Sequence, residues 1–269
     1  MLQDIYLSSG PGFPTLLFLA VLAVIASRYF IFAGIAFAGL FVFRRRLASR
    51  RIQNKTVTRK QMWRELGWSI ASIPVIALTA VLYLWAHSTW GILQFYSGLL
   101  DYGWLWLIVS MPIAVLIHDF YFYWMHRLVH VTGIFEVVHK VHHGATNPTP
   151  LSSFAFHPIE AVLEAFGILI VALIIPVHPV ILLALALYLQ ATNAMLHLGY
   201  EIFPRHWVRH PVLRYLNTPT NHNQHHSTFR YNFGLYTLIW DRLFGTLHPE
   251  YEALYERVTE NRMAEGKSA

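Results

Sequence analysis

The sequence predicts an all-α integral membrane protein with four to five transmembrane helices, and two observations support that fold class. Hydrophobic residues make up 55% of the 269 residues, charged residues only 13%, and the mean hydropathy is +0.42. Long apolar stretches also alternate with short polar ones, and about 20 consecutive apolar residues suffice for a helix to cross a bilayer. Cysteine is absent, which excludes disulfides, iron–sulfur clusters and thiolate ligands to haem or zinc.

The first half of the chain contains three predicted spans. The first, Pro14 to Phe43, is almost wholly apolar and carries one charge, Arg28. Residues 44–60 follow with eight Lys or Arg and no acid. Such a loop could bind anionic lipid or a partner, but the tendency of basic loops to stay in the cytoplasm explains it more simply. The second span is Leu66 to Ala86, and the third is Asp101 to Trp124.

The second half contains an apolar hairpin and then turns polar. Its arms are Ile159 to Pro176 and His178 to His197, each near the minimum length for crossing, so they form either two spans or a re-entrant pair. No further span follows Gly199, and residues 250–269 are predicted to be a soluble surface tail. The first fourteen residues lack the basic start of a signal peptide, so none is expected.

The basic loop also predicts where the polar segments lie. If residues 44–60 are cytoplasmic, counting spans returns residues 125–158 and everything after His197 to the cytoplasmic side. His87 and His178 then lie on the opposite side. The net charge of +6 is therefore a topology signal and not the footprint of a nucleic-acid partner. We expect a bacterial inner membrane or endoplasmic reticulum protein whose clustered histidines face the cytosol.

Nine clustered histidines are the candidate metal ligands. The spacing His-x-x-His-His occurs twice, at 139–143 and 222–226, and residues three or four apart lie on one side of a helix. We therefore expect each set to point its imidazoles at one place. The candidates are His126, His130, His139, His142, His143, His197, His222, His225 and His226.

The number of ligands favours two metal ions. A structural zinc site closes at four ligands, so nine imidazoles are too many for one. A pair of irons with positions open to oxygen fits the count. Soluble di-iron proteins use Glu-x-x-His from two helices, and that spacing occurs here once, at Glu136 and His139, so we discount it.

Three histidine boxes and several flanking residues form a set of motifs over about residues 110–250. In order they are His118-Asp119, Tyr123-Trp124-x-His126-Arg127-x-x-His130, His139-x-x-His142-His143, His157-Pro158-x-Glu160, His197-x-Gly199-Tyr200-Glu201, Thr220-Asn-His222-x-x-His225-His226, and Asn232-x-Gly234-Leu235-Tyr236 with Trp240-Asp241. In this set the chain resembles the membrane fatty acid hydroxylase/sterol desaturase superfamily.

The resemblance implies a mushroom-shaped helical membrane protein whose cytosolic cap holds two irons and uses O2 to attack a lipid C–H bond. Eight box histidines would be ligands, and His197 resembles the extra histidine between the second and third boxes. Asn193 resembles the asparagine that holds a water on one iron in some acyl desaturases. Zinc can replace iron in such proteins after purification.

The sequence leaves the roles of three further residues open. His118 lies eight residues before His126, about 12 Å deeper along a straight helix, so it either marks the first box or supports a ligand. Asp119 could orient the imidazole of a ligand from another helix. His157, just before Pro158, is either a supporting or a purely structural residue.

These observations together predict an oxidoreductase that hydroxylates or desaturates a sterol, fatty acyl or other lipid. The chain divides into N-terminal spans with the basic loop (1–109), a catalytic unit (110–250) and a soluble tail (251–269). No dinucleotide fingerprint and no fused haem motif occur in the sequence, so a separate b-type cytochrome, or a ferredoxin with its reductase, is expected to supply electrons. The aromatic residues at 120–124 would form either an interface belt or the wall of a lipid cavity.

Two alternatives belong to other functional classes. A metal transporter with a histidine relay would need ligands in the middle of the membrane. A bis-histidine haem protein would need paired histidines that face each other within the bilayer.

Overall fold

The described part of the chain, residues 12–260 of the computed structural model, is helical. Its α-helices are α1 (Phe13–Leu47), α2 (Arg59–Trp90), α3 (Gly103–Val129), α4 (Lys140–His143), α5 (Pro158–Ile174), α6 (Pro179–Leu196), α7 (Pro219–Thr228), α8 (Ile239–Leu243) and α9 (Tyr251–Glu260). Short 3₁₀ helices occupy Ala48–Arg50, Pro150–Phe154, Arg205–Arg209 and Leu213–Tyr215, and a π-helical turn occupies Phe135–His139. Within residues 12–260, β pairing is limited to isolated bridges.

Helices α1, α2, α3 and α6 are long and apolar enough to cross a membrane. Together with the apolar side chains on their outer faces, they confirm the predicted all-α, multi-pass membrane protein. Helix α5, the first arm of the predicted hairpin, has 17 residues and packs against both α2 and α3. Helix α3 continues beyond the predicted span to Val129, so it carries His126 on its last turn.

Proline and capping side chains set the starts of the helices that lead to the histidines. Helices α5, α6 and α7 each begin with proline, whose missing N–H is not needed in the first turn. The side chains of His157, His178 and Thr218 accept hydrogen bonds from the free N–H groups at these three starts.

Two apolar clusters hold the membrane part together. One joins α3, α5 and α6 and contains Leu185 and Val171, and the other joins α1, α2, α5 and the segment 154–156 around Tyr29. We call the polar segments 130–157 and 198–260 the cap. At the end of the bundle far from the cap, Trp106 donates to the carbonyl of Pro176 in the α5–α6 turn at 3.0 Å. His178 lies at this same turn and donates to the Ser97 carbonyl.

The basic loop packs against the polar segments that carry the histidines. Arg50 is buried and donates to the Phe203 carbonyl at 2.8 Å. Gln53 donates to the Thr146 carbonyl at 2.8 Å and to Asn223 Oδ1 at 2.6 Å. The loop and the histidine segments therefore lie at the same end of the bundle, as the topology argument requires.

The last described helix belongs to the folded cap. Residues 251–269 were predicted to be a soluble tail, but α9 places Tyr251, Tyr255 and Val258 on one buried face. The hydroxyl of Tyr255 donates to the Pro204 carbonyl at 2.9 Å. The sequence prediction missed this amphipathic face; residues 261–269 and the first eleven residues, where no signal peptide was expected, lie outside the described range.

Candidate metal centre

The structure brings all nine candidate histidines together in two groups. They come from the end of α3, the π-helical turn with α4, the residue that ends α6, and α7. Within each group the candidate ligand nitrogens all lie within 4.8 Å of one another. The first group is His126, His130, His139, His143 and His225, and the second is His142, His197, His222 and His226. His130 is half-buried, and the other eight are buried.

The grouping corrects the expectation that each His-x-x-His-His set points at one place. In the second box His139 and His143 enter the first group, whereas His142 enters the second. The third box divides in the same way, with His225 separated from the other two histidines of α7. The side chains at positions i+3 and i+4 of a helix point in directions that differ by about 100°. One box therefore supplies ligands to both groups.

In the first group the Nε2 atoms point at one another. His126 Nε2 lies 3.1 Å from His139 Nε2, and His225 Nε2 lies 3.0 Å from His143 Nε2. His143 Nε2 is also 3.1 Å from His130 Nε2. Around an ion with metal–nitrogen bonds of about 2.0–2.1 Å, neighbouring ligand nitrogens lie about 2.9–3.4 Å apart. The spacing fits imidazoles that share a metal ion.

Acceptors behind the rings establish which nitrogen carries the proton. His126 Nδ1 donates to the Phe233 carbonyl at 2.9 Å, and His139 Nδ1 donates to Glu160 Oε1 at 2.6 Å. The Nε2 atoms of both rings therefore carry lone pairs. Two lone pairs facing each other across 3.1 Å repel, so a cation shared between them would stabilise the arrangement.

The second group is arranged in the same way. His197 Nδ1 donates to the Asn193 carbonyl at 2.7 Å, and its Nε2 lies 3.3 Å from His222 Nε2. His226 Nε2 lies 3.1 Å from His222 Nε2. The two groups adjoin, because the ring centroids of His143 and His226 are 4.7 Å apart.

The electrostatics of the site keep the imidazoles neutral. Burial, and then the neighbouring imidazoles, hold the pKa of His139 and of His226 well below the ordinary histidine value. The same causes hold the pKa of His143 well below that value. Neutral imidazole is the form that binds metal, so the set is ready to accept cations at neutral pH. The structure and the ligand chemistry together indicate metal binding.

Glu160 supports a ligand imidazole, a role that its place in the His157-Pro158-x-Glu160 motif did not reveal. It lies in the first turn of α5, is buried, and accepts the hydrogen bond from His139. A carboxylate behind a ligand imidazole fixes the ring and makes it a better donor to the metal. The signal in the sequence was an acidic residue in the first turn of a helix whose only other charged residue is Glu164.

Two further buried acids hold the segments that carry ligands. Glu201 Oε2 accepts from the backbone N and the hydroxyl of Thr220, at 3.1 and 2.6 Å, which fixes the start of α7. Asp241 accepts from the backbone N of Phe233 and of Gly234, both at 2.8 Å. It thereby positions the loop whose carbonyls hold His126 and His225.

Four residues were predicted to have a supporting or undecided role, and the structure gives each a different environment: Asp119, His157, Asn193 and His118. Asp119 accepts from the backbone N of Tyr236, the Thr237 hydroxyl and the Trp240 indole, so it anchors the segment 236–240 and not an imidazole. His157 caps the start of α5. The Asn193 side chain donates to the Ser153 carbonyl at 2.7 Å, while its own carbonyl holds His197.

His118 belongs to neither group of histidines. It is 1% exposed, and within the described residues both of its ring nitrogens are without a hydrogen-bond partner. Its ring lies against Tyr236, with centroids 5.5 Å apart. The metal centre therefore does not account for His118.

An apolar cavity of about 810 Å³ lies between α3 and α5. Phe120, Tyr121 and Trp124 line it, together with Met125, the residue before His126. Three of the aromatic residues at 120–124, which were predicted to form either an interface belt or a cavity wall, thus contribute to the wall of a cavity, whereas Phe122 and Tyr123 are buried in the core. Its lining suits the hydrocarbon part of a lipid.

Comparison with known proteins finds one matching family and several similar proteins. A model of the fatty acid hydroxylase family matches residues 111–246. Lathosterol oxidase of Mus musculus is 31% identical over 195 residues, which cover 71% of the chain and 63% of that protein. Lathosterol oxidase of Homo sapiens is 32% identical over 189 residues, covering 70% and 62%. A Delta(7)-sterol 5(6)-desaturase of Gibberella zeae is 28% identical over 221 residues, covering 81% and 65%.

The matched region is less than two thirds of the length of each of these relatives. No solved structure matches the chain significantly. The family match includes all three histidine boxes and the segment that closes over them, and it confirms the resemblance to the hydroxylase and desaturase superfamily. The chain belongs to the fatty acid hydroxylase family.

Proposed function

We propose that the protein is a membrane-bound oxidoreductase that uses two irons and O2 to desaturate or hydroxylate an unactivated C–H bond of a lipid. The observation that carries the proposal is the pair of adjoining imidazole groups with converging Nε2 atoms. Two irons bound there would supply the activation of O2 and the oxidising power for C–H cleavage. The nine histidines are their proposed ligands.

The residues around the groups would position and shield this chemistry. Glu160, the Phe233 carbonyl and the Asn193 carbonyl hold three of the rings through their Nδ1 atoms. The burial of eight of the nine histidines keeps bulk water away. The cavity between α3 and α5 would admit the lipid from the membrane side.

The substrate class is proposed from the cavity and the relatives together. Three relatives are named for sterol oxidation or desaturation, and the cavity is large and apolar. We propose a sterol-like lipid and favour the removal of two hydrogens over hydroxylation. O2 would then take two electrons from the lipid and two from a donor, and form two molecules of water.

The donor is proposed to be a separate b-type cytochrome, or a ferredoxin with its reductase, that docks on the basic end of the protein. Arg44, Arg45 and Arg46 are exposed there. A recess of about 700 Å³ beside Arg230 also reaches the half-buried His130. Charge reversal of the three arginines should weaken docking of the donor, so turnover should need a higher donor concentration. An unchanged dependence of turnover on donor concentration would exclude this loop as the docking site.

The cap is proposed to face the cytosol, in an inner membrane or the endoplasmic reticulum. The basic loop that packs on the cap supports this orientation through the positive-inside rule. We also propose that residues 110–250 form the catalytic unit, with 1–109 supplying membrane helices. A cysteine introduced at Arg230 should react with an impermeant thiol reagent only from the cytosolic side.

The decisive experiment combines metal analysis with lipid profiling. Purified protein should contain two irons per chain and no Soret band, and expressing cells should accumulate a lipid lighter by two mass units or heavier by sixteen. Zinc in the preparation does not contradict the proposal, because zinc can replace iron. A Soret band would instead indicate the haem protein, and metal uptake without lipid change would indicate the transporter, neither of which the relatives favour.

A further inference from the structure

Four polar side chains lie inside the membrane part, away from the two histidine groups. They come from four different elements: Arg28 from α1, His118 from α3, Glu164 from α5, and Tyr236 from the segment before α8. Arg28 is 8% exposed, His118 1% and Tyr236 2%, whereas Glu164 is half-buried. Burying polar groups in an apolar region costs free energy unless they are hydrogen-bonded. We refer to these four residues as the buried polar cluster.

The cluster lacks internal partners. Within residues 12–260, the two nitrogens of His118, the Tyr236 hydroxyl and Arg28 Nε have no hydrogen-bond partner. The Glu164 carboxyl has only electrostatic neighbours in that range. Native proteins leave few buried polar atoms unsatisfied, so several at one place indicate a ligand.

Tyr236 connects the other three members. Its ring centroid is 5.5 Å from that of His118, and it lies within electrostatic range of both Arg28 and Glu164. Gly167 brings α5 close to His118, because a Cβ at this glycine would lie 2.9 Å from His118 Nε2. The four side chains therefore converge from four elements onto one region.

The apolar cavity between α3 and α5 adjoins the same region. A Cβ at Gly167 would also lie 3.2 Å from the ring of Tyr121, and Tyr121 lines the cavity between α3 and α5. The buried polar cluster thus lies directly behind the inner wall of the apolar cavity.

We propose that Arg28, His118, Glu164 and Tyr236 bind a hydroxyl group of the lipid substrate. The cluster offers donors, from Arg28 and Tyr236, together with acceptors, from a neutral His118 nitrogen and the Glu164 carboxyl. A hydroxyl both donates and accepts and can satisfy the two kinds at once. A carboxylate only accepts, and a charged Glu164 would repel it. This inference rests on the proposed function, because it identifies the polar end of the same substrate.

The arrangement also fits the position of the metal centre. His118 and His126 are on one helix and two turns apart, a rise of about 12 Å. A lipid anchored by its hydroxyl at the cluster would extend along α3 toward the first histidine group. The cluster would then determine which carbon reaches the metals.

A binding experiment with matched lipid pairs tests the proposal. The full chain in nanodiscs is offered lathosterol and its 3-deoxy analogue, octadecanol and octadecane, and octadecanoic acid. We expect wild type to bind at least one alcohol about tenfold or more tightly than its hydrocarbon partner, and more tightly than the acid. Arg28→Met and Tyr236→Phe should each reduce that preference toward unity. Equal or absent binding across all pairs, tighter binding of the acid, or a preference that survives both substitutions would overturn the proposal.

Two controls separate recognition from folding. Because neither Arg28 Nε nor the Tyr236 hydroxyl has a hydrogen-bond partner among residues 12–260, both variants should keep the wild-type melting temperature and metal content. Tyr255→Phe removes a hydroxyl that does have a partner, so it should lower the melting temperature without changing the alcohol preference. A fall in melting temperature for both cluster variants, with the preference retained, would assign the cluster a structural role. If metal or lipid oxidation is absent while the preference persists, the proposed function fails, and the cluster remains a binding site for a lipid hydroxyl but not for a substrate.

Discussion

Replacing Glu160 tests whether a carboxylate outside the histidine groups supports metal binding. Its Oε1 accepts from His139 Nδ1 at 2.6 Å, and the two side chains are only 1% and 4% exposed. The other nitrogen of His139 faces the first histidine group, 3.1 Å from His126 Nε2. A change at Glu160 therefore reaches the metal through a single imidazole.

The size of the effect follows from the type of hydrogen bond. Hydrogen bonds to charged groups contribute about 1.5–3 kcal/mol and neutral ones about 0.5–1.5 kcal/mol. Glu160→Gln keeps an acceptor but removes the charge, so we expect a loss of about 1–1.5 kcal/mol, or roughly five- to tenfold weaker metal binding. Glu160→Ala also leaves the Nδ1–H buried without a partner, and we expect roughly 10–100-fold weaker binding.

A chelator titration of purified protein measures this effect. In the Glu160 variants, only the ion of the first group should be released at a lower chelator concentration than in wild type. Metal release from the variants should therefore become biphasic. Glu136→Gln is the matched control, because Glu136 lies three residues before His139 but is exposed and paired with Lys140 at 2.7 Å. We expect this control to titrate like wild type.

Two outcomes would refute the reasoning. Wild-type metal affinity in both Glu160 variants would mean that the carboxylate does not support the ligand. Equal weakening of both ions would mean that the substitution disturbs the whole cap instead of one imidazole. Circular dichroism and the melting temperature of Glu160→Gln distinguish a local effect from unfolding.

Three further predictions concern the loop, the cavity and pH. Asp241→Asn weakens the anchoring of the Phe233 backbone, so the melting temperature should fall together with metal content; a fall in only one of them would contradict the coupling. Gly167→Leu places a side chain against His118 and should reduce lipid turnover with metal content unchanged, as measured by product mass. Burial lowers the pKa of His139 and its neighbours in the folded protein. Below about pH 6.5 the unfolded chain therefore binds more protons than the folded chain. The melting temperature of the metal-free protein should therefore fall as the pH decreases from 7.5 to 5.5, and a constant value would contradict this.

The membrane architecture was predictable because the bilayer imposes it. Span length and the basic loop were enough to place the histidine segments at one end, and the contacts of Arg50 and Gln53 with the cap agree. The role of Glu160 was not predictable, because it depends on α5 beginning beside a π-helical turn that is distant in sequence. The buried face of α9 was missed because a 10-residue amphipathic pattern after a long polar stretch resembles a surface tail.

The division of the two boxes shows the limit of spacing as a guide to a metal site. Successive residues on a helix turn by about 100°, so positions i and i+4 point within about 40° of each other, while i+3 points about 60° the other way. His139 and His143 therefore share one group, and His142 points to the other. This phase argument predicts that the second and third boxes divide, whereas His126 and His130 of the first box, at i and i+4, stay in one group. It does not predict the partner groups, which depend on contacts such as those of His126 with His139 and of His197 with His222. Because the second and third boxes each supply ligands to both groups, the two groups share α4 and α7, and neither group can assemble without these two segments.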